Sequence, residues 1–154
     1  MTHASIRFRE ATEDDLTAIV ALLADDPFGQ GREDSRLPLA PAYIDAFRAI
    51  EADANQFLAV AADGDAVIGT FQLSFIPGIS RGGAWHGQIE AVRIASSLRG
   101  SGLGRRMMEW AIDLCRERGC SLVQLTSDKP RKDAHRFYER LGFVASHEGF
   151  KLSL

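Results

Sequence analysis

The hydrophobic and polar positions of this chain follow two different periods, and the points where one period gives way to the other mark out its elements. Ser5–Arg9 (S-I-R-F-R) alternates apolar and polar residues, which predicts a strand. Thr12 then reads as a helix N-cap, with Glu13, Asp14 and Asp15 in the first turn, where the helix dipole favours acids. Leu16, Ile19, Val20 and Leu23 follow at helical spacing, and Pro27 lies beyond the end. Residues 27–40 are rich in Gly, Pro and charge and read as a loop. A second helix is predicted from Pro41 to Asp53, with Tyr43, Ile44, Phe47 and Ile50 on one face.

The period then changes to two. Gln56–Ala62 and Asp65–Phe75 predict strands joined by a hairpin at Asp63-Gly64. Pro77–Gly87 is a long Gly-rich break, and Gln88–Ile94 a further strand. A helix over 102–118 would bury Leu103, Met107, Trp110, Ala111, Leu114 and Cys115, with Gly119 ending it. Cys120–Leu125 reads as a short buried strand. Pro130 fits the first position of a last helix, whose face is Ala134, Phe137, Tyr138 and Leu141, stopped by Gly142. Phe143–Leu154 is expected to supply one or two closing strands. The order β-α-α-β-β-β-α-β-α-β describes an α/β fold, a mixed sheet with helices on both faces.

Composition narrows this further. At 154 residues, with 45% hydrophobic and 25% charged, residues 1–154 suit one domain able to bury a core without disulfide or metal staples. The apolar runs fall short of the roughly 20 residues needed to span a bilayer. The first fifteen residues are acid-rich and have no apolar stretch of the secretory kind, so no membrane association and a cytoplasmic location are expected. Cys115 and Cys120 are too few for a disulfide framework or a metal cluster, and no metal is expected. Residues 1–77 hold 5 Lys/Arg against 13 Asp/Glu (net −8), and residues 78–154 hold 13 against 8 (net +5). An overall charge of −3 argues against nucleic acid as a partner. The split suits an anionic ligand on one side and a cationic one on the other, although scattered surface charge explains it as well.

The sharpest local feature is Arg99-Gly100-Ser101-Gly102-Leu103-Gly104-Arg105, which follows a predicted strand and opens a helix. Glycines at alternate positions let the backbone approach a ligand and turn several N–H groups toward one point. The helix N-terminus adds roughly half a positive charge, and Arg99, Arg105 and Arg106 add whole ones. These are the ingredients of a diphosphate cradle. No Gly-Lys-Ser/Thr follows, so it is not a Walker A loop. Arg105 stands where a dinucleotide fingerprint needs a small residue.

Val92-Arg93-Ile94 followed by Arg99-Gly100-x-Gly102-Leu103-Gly104 resembles motif A of the GNAT superfamily of N-acetyltransferases, which binds the coenzyme A diphosphate. Ala134-His135-Arg136-Phe137-Tyr138-Glu139-Arg140-Leu141-Gly142-Phe143 resembles motif B of the same family. The motifs occur in the family's order and separation. Ala95 after Ile94, with no Pro in the turn, is a small departure. The resemblance implies a GNAT fold with a bulged central strand that splays from the next one. It also implies acetyl-CoA as co-substrate, a primary-amine acceptor, and direct attack in a ternary complex.

The resemblance assigns coenzyme binding to Val92, Arg93, Ile94, Arg99, Gly100, Ser101, Gly102, Leu103, Gly104 and Arg105. In the strand, free backbone groups would pair with the pantetheine arm, and the Val92 amide would face the thioester oxygen. Such a fixed donor contributes about 3–4 kcal/mol where charge develops. Tyr138 matches the family tyrosine near the sulfur and would protonate the departing thiolate; a core aromatic beside Phe137 is the competing reading. Phe137 belongs to the same motif and is assigned to coenzyme binding, while Asp133, just ahead of the motif, would with Arg136 and Lys129 touch the adenosine end or its 3′-phosphate, or form an exposed charged helix face.

An acceptor amine with a pKa near 10 must lose a proton before attack. Glu90 lies two residues before Val92, so strand periodicity places both side chains on one face, with Gln88 beside them. Glu90 would act as the base, bind the ammonium, or pair with Arg93 or Arg81. His86 beside Trp85 would contact the acceptor, serve as the base, or lie on a surface loop. Phe28 and the 27–40 loop fall where GNAT folds line the acceptor site. The 77–87 loop would shape that pocket or reach a second subunit of a homodimer. An acyl-CoA-binding regulatory module without turnover is the alternative function, and it has no need to keep both Tyr138 and Glu90.

Overall fold

The computed structural model describes residues 5–28 and 31–154. Positions 29 and 30 of the expected 27–40 loop lie outside the described residues. The chain divides into two compact units, Met1–Gln124 and Leu125–Leu154.

In the first unit, β1 (Ile6–Glu10) leads through a 3-10 turn (Glu13–Asp15) into α1 (Leu16–Ala24). Thr12 is the N-cap of that turn, as its position implied. The knot here is tighter than the sequence suggested. The Asp15 carboxylate accepts the Thr12 N–H at 2.8 Å and both arms of the Arg9 guanidinium, at 2.6 and 2.9 Å. The arginine holds the buried Asp15 carboxyl below its usual pKa. After α2 (Pro41–Ala52), with Pro at its start, come β2 (Gln56–Asp63) and β3 (Ala66–Ile76). The hairpin forms as predicted, but its two-residue loop is Gly64-Asp65, one position on, with Gly64 at φ 59°. The Gly-rich break contains a single helical turn, α3 (Ser80–Gly83), interrupted by left-handed Arg81 and Gly82. Then follow β4 (His86–Ile94), a 3-10 turn (Ser96–Leu98), α4 (Leu103–Glu117) and β5 (Leu122–Leu125).

The sheet order is β1-β2-β3-β4-β5, antiparallel through the first four strands. Contacts between β4 and β5 advance together along the chain: Ser121 N–H donates to Trp85 O at 2.8 Å and Gln124 Nε2 to Gln88 Oε1 at 2.7 Å. These two strands therefore run parallel, and the sheet is mixed. β5 is 4 residues long and β4 is 9, so β4 outruns its neighbour on that side.

Helices cover both faces. Register places Val60 opposite Thr70 and Leu58 opposite Gln72. On that face Val60 packs with Leu16, Ile19 and Val20 of α1 and Phe47 of α2. The other face carries Phe57, Ala59, Phe71, Leu73 and Ile89 toward α4. Trp110 of α4 stacks on Phe8 at 5.5 Å and meets Phe57 and Phe71 edge-on. Phe71, Leu73, Ile89, Leu103, Met107 and Met108 are fully buried. Each such side chain contributes about 1.5–3 kcal/mol relative to exposure. The helix sits so close that a Cβ at Gly87 would lie 2.3 Å from Cys115 Sγ, so a larger residue there must displace that side chain. Burial pushes the Cys115 thiol up to about 12, and Cys120 is also raised.

The second unit holds α5 (Lys132–Arg140) and an irregular tail. Pro130 is not the first helical residue; it lies in the turn ahead, and Arg131, at ψ 62°, delays the helix to Lys132. The closing strands expected from Phe143–Leu154 do not form. Apolar residues alternate there, but Phe150, Leu152 and Leu154 stay exposed.

Candidate active site

The site grows out of one irregularity in β4. Thr70 pairs with Arg93, but the next pair along is Gln72 with Glu90. Phe71 therefore faces both Ala91 and Val92, which is a β-bulge. Ala91 adopts φ 54°, one of two non-glycine residues with left-handed backbone among those described. An alanine there is strained, and such strain gathers at functional positions. The bulged, overhanging strand matches the expectation for the central strand.

The bulge also corrects the pairing of faces. One extra residue resets the alternation of side chains. Arg93 shares a face with Glu90, opposite Thr70 and Gln72, while Val92 turns to the α4 side. Glu90 and Val92 are therefore not on one face, as simple alternation had suggested. Glu90 is exposed, and among the described residues no ion pair is found for it. The expected Arg93 partner is taken: Arg93 Nη2 donates to Asp26 Oδ2 at 2.7 Å, and Nη1 to Val92 O at 2.7 Å. What Arg93 leaves toward a ligand is its backbone. Gln88 lies on the Glu90 face, bonded to Gln124, and His86 opens the strand half-buried rather than sitting in a loop.

From Ile94 the chain passes through the 3-10 turn directly into the glycine loop. Ser101 N–H donates to Leu98 O at 3.2 Å, and Gly100 and Gly102 take φ 80° and 86°. Leu103 N–H finds Ser101 Oγ at 3.3 Å, and the first intrahelical bond of α4 runs from Arg106 N–H to Gly102 O at 3.2 Å. The amides of Gly104 and Arg105 lie ahead of that bond, as the first turn of any helix leaves them. A Cβ built on Gly100 or Gly102 would meet no atom within 4 Å. Open space in front of unpaired amides at a helix N-terminus is what a diphosphate requires, so these residues fit the group the motif implies.

The arginines divide differently from the expectation that three would add their charges. Arg105 Nε is held by Glu109 at 2.8 Å, and the Arg106 guanidinium lies over the Phe8 ring at 5.2 Å. Among the described residues Arg99 has only a carbonyl partner, Asp25 O at 3.3 Å. It is the arginine of the three best placed to meet an anion with its charge intact.

The second unit carries the remaining candidates. Tyr138 packs edge-on against Phe137 at 5.3 Å and Phe143 at 6.0 Å. Asp133 pairs with Arg136, and Lys129 with Glu148 at 3.6 Å, as expected of a solvated helix face. His135 Nε2 lies 3.0 Å from Asp128 O. On the first unit, an open groove of about 560 Å³ is lined by Glu13, Leu16, Thr17, Leu37, Pro38, Leu39 and Ile44, and it shares no residue with the loop or the bulge.

The family model for the acetyltransferase (GNAT) family matches residues 16–143. The chain belongs to the GNAT family. It is an acetyl-CoA-dependent acetyltransferase. An aminoalkylphosphonate N-acetyltransferase from Salmonella typhimurium is 29% identical over 95% of this chain and 90% of its own length. A glucosamine 6-phosphate N-acetyltransferase from Trypanosoma brucei brucei is 35% identical over 57% of this chain and 58% of its own. A transcriptional regulator from Bacillus halodurans C-125 has the same GNAT architecture, with a TM-score of 0.94 and 48% identity over 97% of this chain and 99% of that one. Among the described residues no helix is long and apolar enough to cross a membrane.

Asp26 is the residue that reading the sequence missed. It sits 67 positions from Arg93, and nothing local in D-D-P-F marks it.

Proposed function

We propose that this GNAT acetyltransferase moves acetyl from acetyl-CoA to a primary amine by direct attack in a ternary complex, with residues 1–154 acting as one domain in the cytoplasm. The observation that carries this reading is the continuity of bulge and glycine loop. Ala91–Val92 and Gly100–Gly102 are joined by one short turn, so a ligand held by its diphosphate at the loop has its other end beside the strand. The match running across both units supports the single domain, and two unbridged thiols suit a reducing compartment.

When bound, acetyl-CoA supplies an acyl carbon activated as a thioester. The amides of Gly100, Gly102, Gly104 and Arg105, with Arg99, would hold its diphosphate, since those of Ser101 and Leu103 are already engaged; the backbone of Val92–Ile94 would line its pantetheine arm. The Val92 N–H donates to the thioester oxygen as charge builds there. Glu90 takes the proton of the acceptor ammonium, directly or through water. Tyr138 delivers a proton to the departing sulfur, and the second proton that the nitrogen loses as the amide forms restores the phenol. Holding both substrates together provides the proximity, so no covalent enzyme intermediate is needed. Cys115, buried and with its thiol raised to about 12, is a poor nucleophile for one.

The acceptors named for the two curated relatives are amines that carry a phosphorus oxyanion. The acidic N-terminal half favours a cationic amine instead. Release of free thiol from acetyl-CoA, measured with an aminoalkylphosphonate, glucosamine 6-phosphate, a polyamine and a peptide N-terminus, decides between them. One class should raise release far above the amine-free rate. Tight acetyl-CoA binding with no acceleration by any amine would contradict transfer to an amine.

A further inference from the structure

We infer that Asp26 is a positioning residue for acetyl transfer, acting through Arg93 on the backbone of the β4 bulge. The inference rests on the function proposed above and extends it to a residue outside both motifs.

Asp26 lies in the turn that leaves α1 and is 4% exposed. One carboxylate oxygen accepts Arg93 Nη2 at 2.7 Å, and the other accepts the Phe28 N–H at 3.1 Å. The same guanidinium donates through Nη1 to Val92 O at 2.7 Å. One buried carboxylate thus fixes the arginine that fixes Val92, the residue whose backbone is proposed to meet the thioester. Its neighbour Asp25 accepts Arg99 from the glycine loop at 3.3 Å. Residues 25–28 therefore brace the bulge and the loop from one turn.

Stability alone does not account for this arrangement. A buried ion pair roughly breaks even with an apolar pair of the same shape. Among the described residues this one also leaves Arg93 Nε buried without a hydrogen-bond partner, an added cost that native structures seldom carry without a role. Its geometric product is a fixed Val92 carbonyl at a point where Ala91 already holds strained backbone. Catalytic donors must be held within about half an ångström of their working position.

The test uses the full-length chain with Asp26→Asn, Asp26→Glu and Arg93→Lys, the last keeping the charge but losing the fork that spans Asp26 and Val92. For Asp26→Asn, kcat should fall about 10- to 100-fold in protein that circular dichroism shows to be folded. The acetyl-CoA dissociation constant should stay within about threefold, because the glycine loop is untouched. Asp26→Glu should recover part of kcat, and amide hydrogen exchange across 90–94 should quicken in Asp26→Asn. If Asp26→Asn does not fold, Arg93→Lys should show the same loss of kcat at constant affinity. A folded Asp26→Asn or Arg93→Lys with wild-type kcat, however much its melting temperature drops, overturns the inference while leaving the proposed function intact. A wild-type protein that binds no acetyl-CoA overturns the proposed function and this inference with it.

Discussion

The glycine loop at 100–102 and the bulge at 91–92 both depend on left-handed backbone, yet they reach it by different chemistry. Gly100 and Gly102 adopt φ 80° and 86° with open space where a Cβ would point. They are relaxed, and their amides are left for a ligand. Ala91 adopts φ 54° under strain, inside a ladder that pairs on either side of it and is buttressed by Arg93 and Asp26. The loop is built to bind and the bulge to hold one backbone segment in place. Substitutions at the two should therefore separate affinity from turnover.

The largest effects should fall on turnover. Tyr138→Phe and Glu90→Gln are each expected to lower kcat about 100-fold, the lower range for loss of a general acid or base, with little change in the KM for acetyl-CoA. Steady-state kinetics with the acceptor found in the thiol-release screen measures this. Undiminished kcat in Tyr138→Phe would remove its role as acid. A Glu90→Gln effect confined to the acceptor's KM would make Glu90 a binder of the ammonium.

A control distant from both features comes next in size. Asp15, tied to Arg9 and to Thr12 N–H, has a carboxyl pKa below the unfolded value of about 3.9. Its stabilisation is fully present above that value and is lost as pH falls through the folded pKa. Asp15→Asn should cost about 2 kcal/mol at pH 7, typical of hydrogen bonds to a charged group, and should flatten the loss of stability below about pH 4. Urea melts at pH 7 and pH 3 would show it. Catalysis by the folded variant should not change.

The smallest effects test the strain itself. Ala91→Gly relieves a left-handed alanine and should stabilise the fold by up to about 1 kcal/mol, whereas Gly102→Ala imposes one and should destabilise by about 1 kcal/mol. Equal and opposite shifts in thermal unfolding would fit the comparison. Destabilisation by Ala91→Gly would show that the bulge is not strained.

The contrast also explains how much of the molecule the sequence disclosed. Helix and strand periods, the N-cap at Thr12 and the alternate glycines are local signals, and they located α1, α2, α4, the hairpin and the loop. The bulge has no such local signal, since Ala91 looks like any strand residue; the resemblance implied a bulge in this strand, and the register with Phe71 and the φ of Ala91 locate it. That hidden insertion is also why Glu90 and Val92 face apart. Asp26 needed the fold to bring it to Arg93. The tail at 143–154 shows the converse: its alternation is a strand signal, but its apolar side chains stay exposed and no strand forms there. His135 and Arg106 found partners through packing that spacing does not specify.

The central claim is that the amides and arginine around 99–105 grip the diphosphate of acetyl-CoA. Isothermal titration of acetyl-CoA into the wild-type protein and into Arg99→Ala/Gly102→Val addresses it most directly. The variant removes the Arg99 guanidinium, whose charge no carboxylate neutralises among the described residues, and places a branched side chain where the ligand should lie. A fall in affinity of about 100-fold or more, with the fold retained, is the predicted result. Equal affinity in the two proteins would contradict the claim.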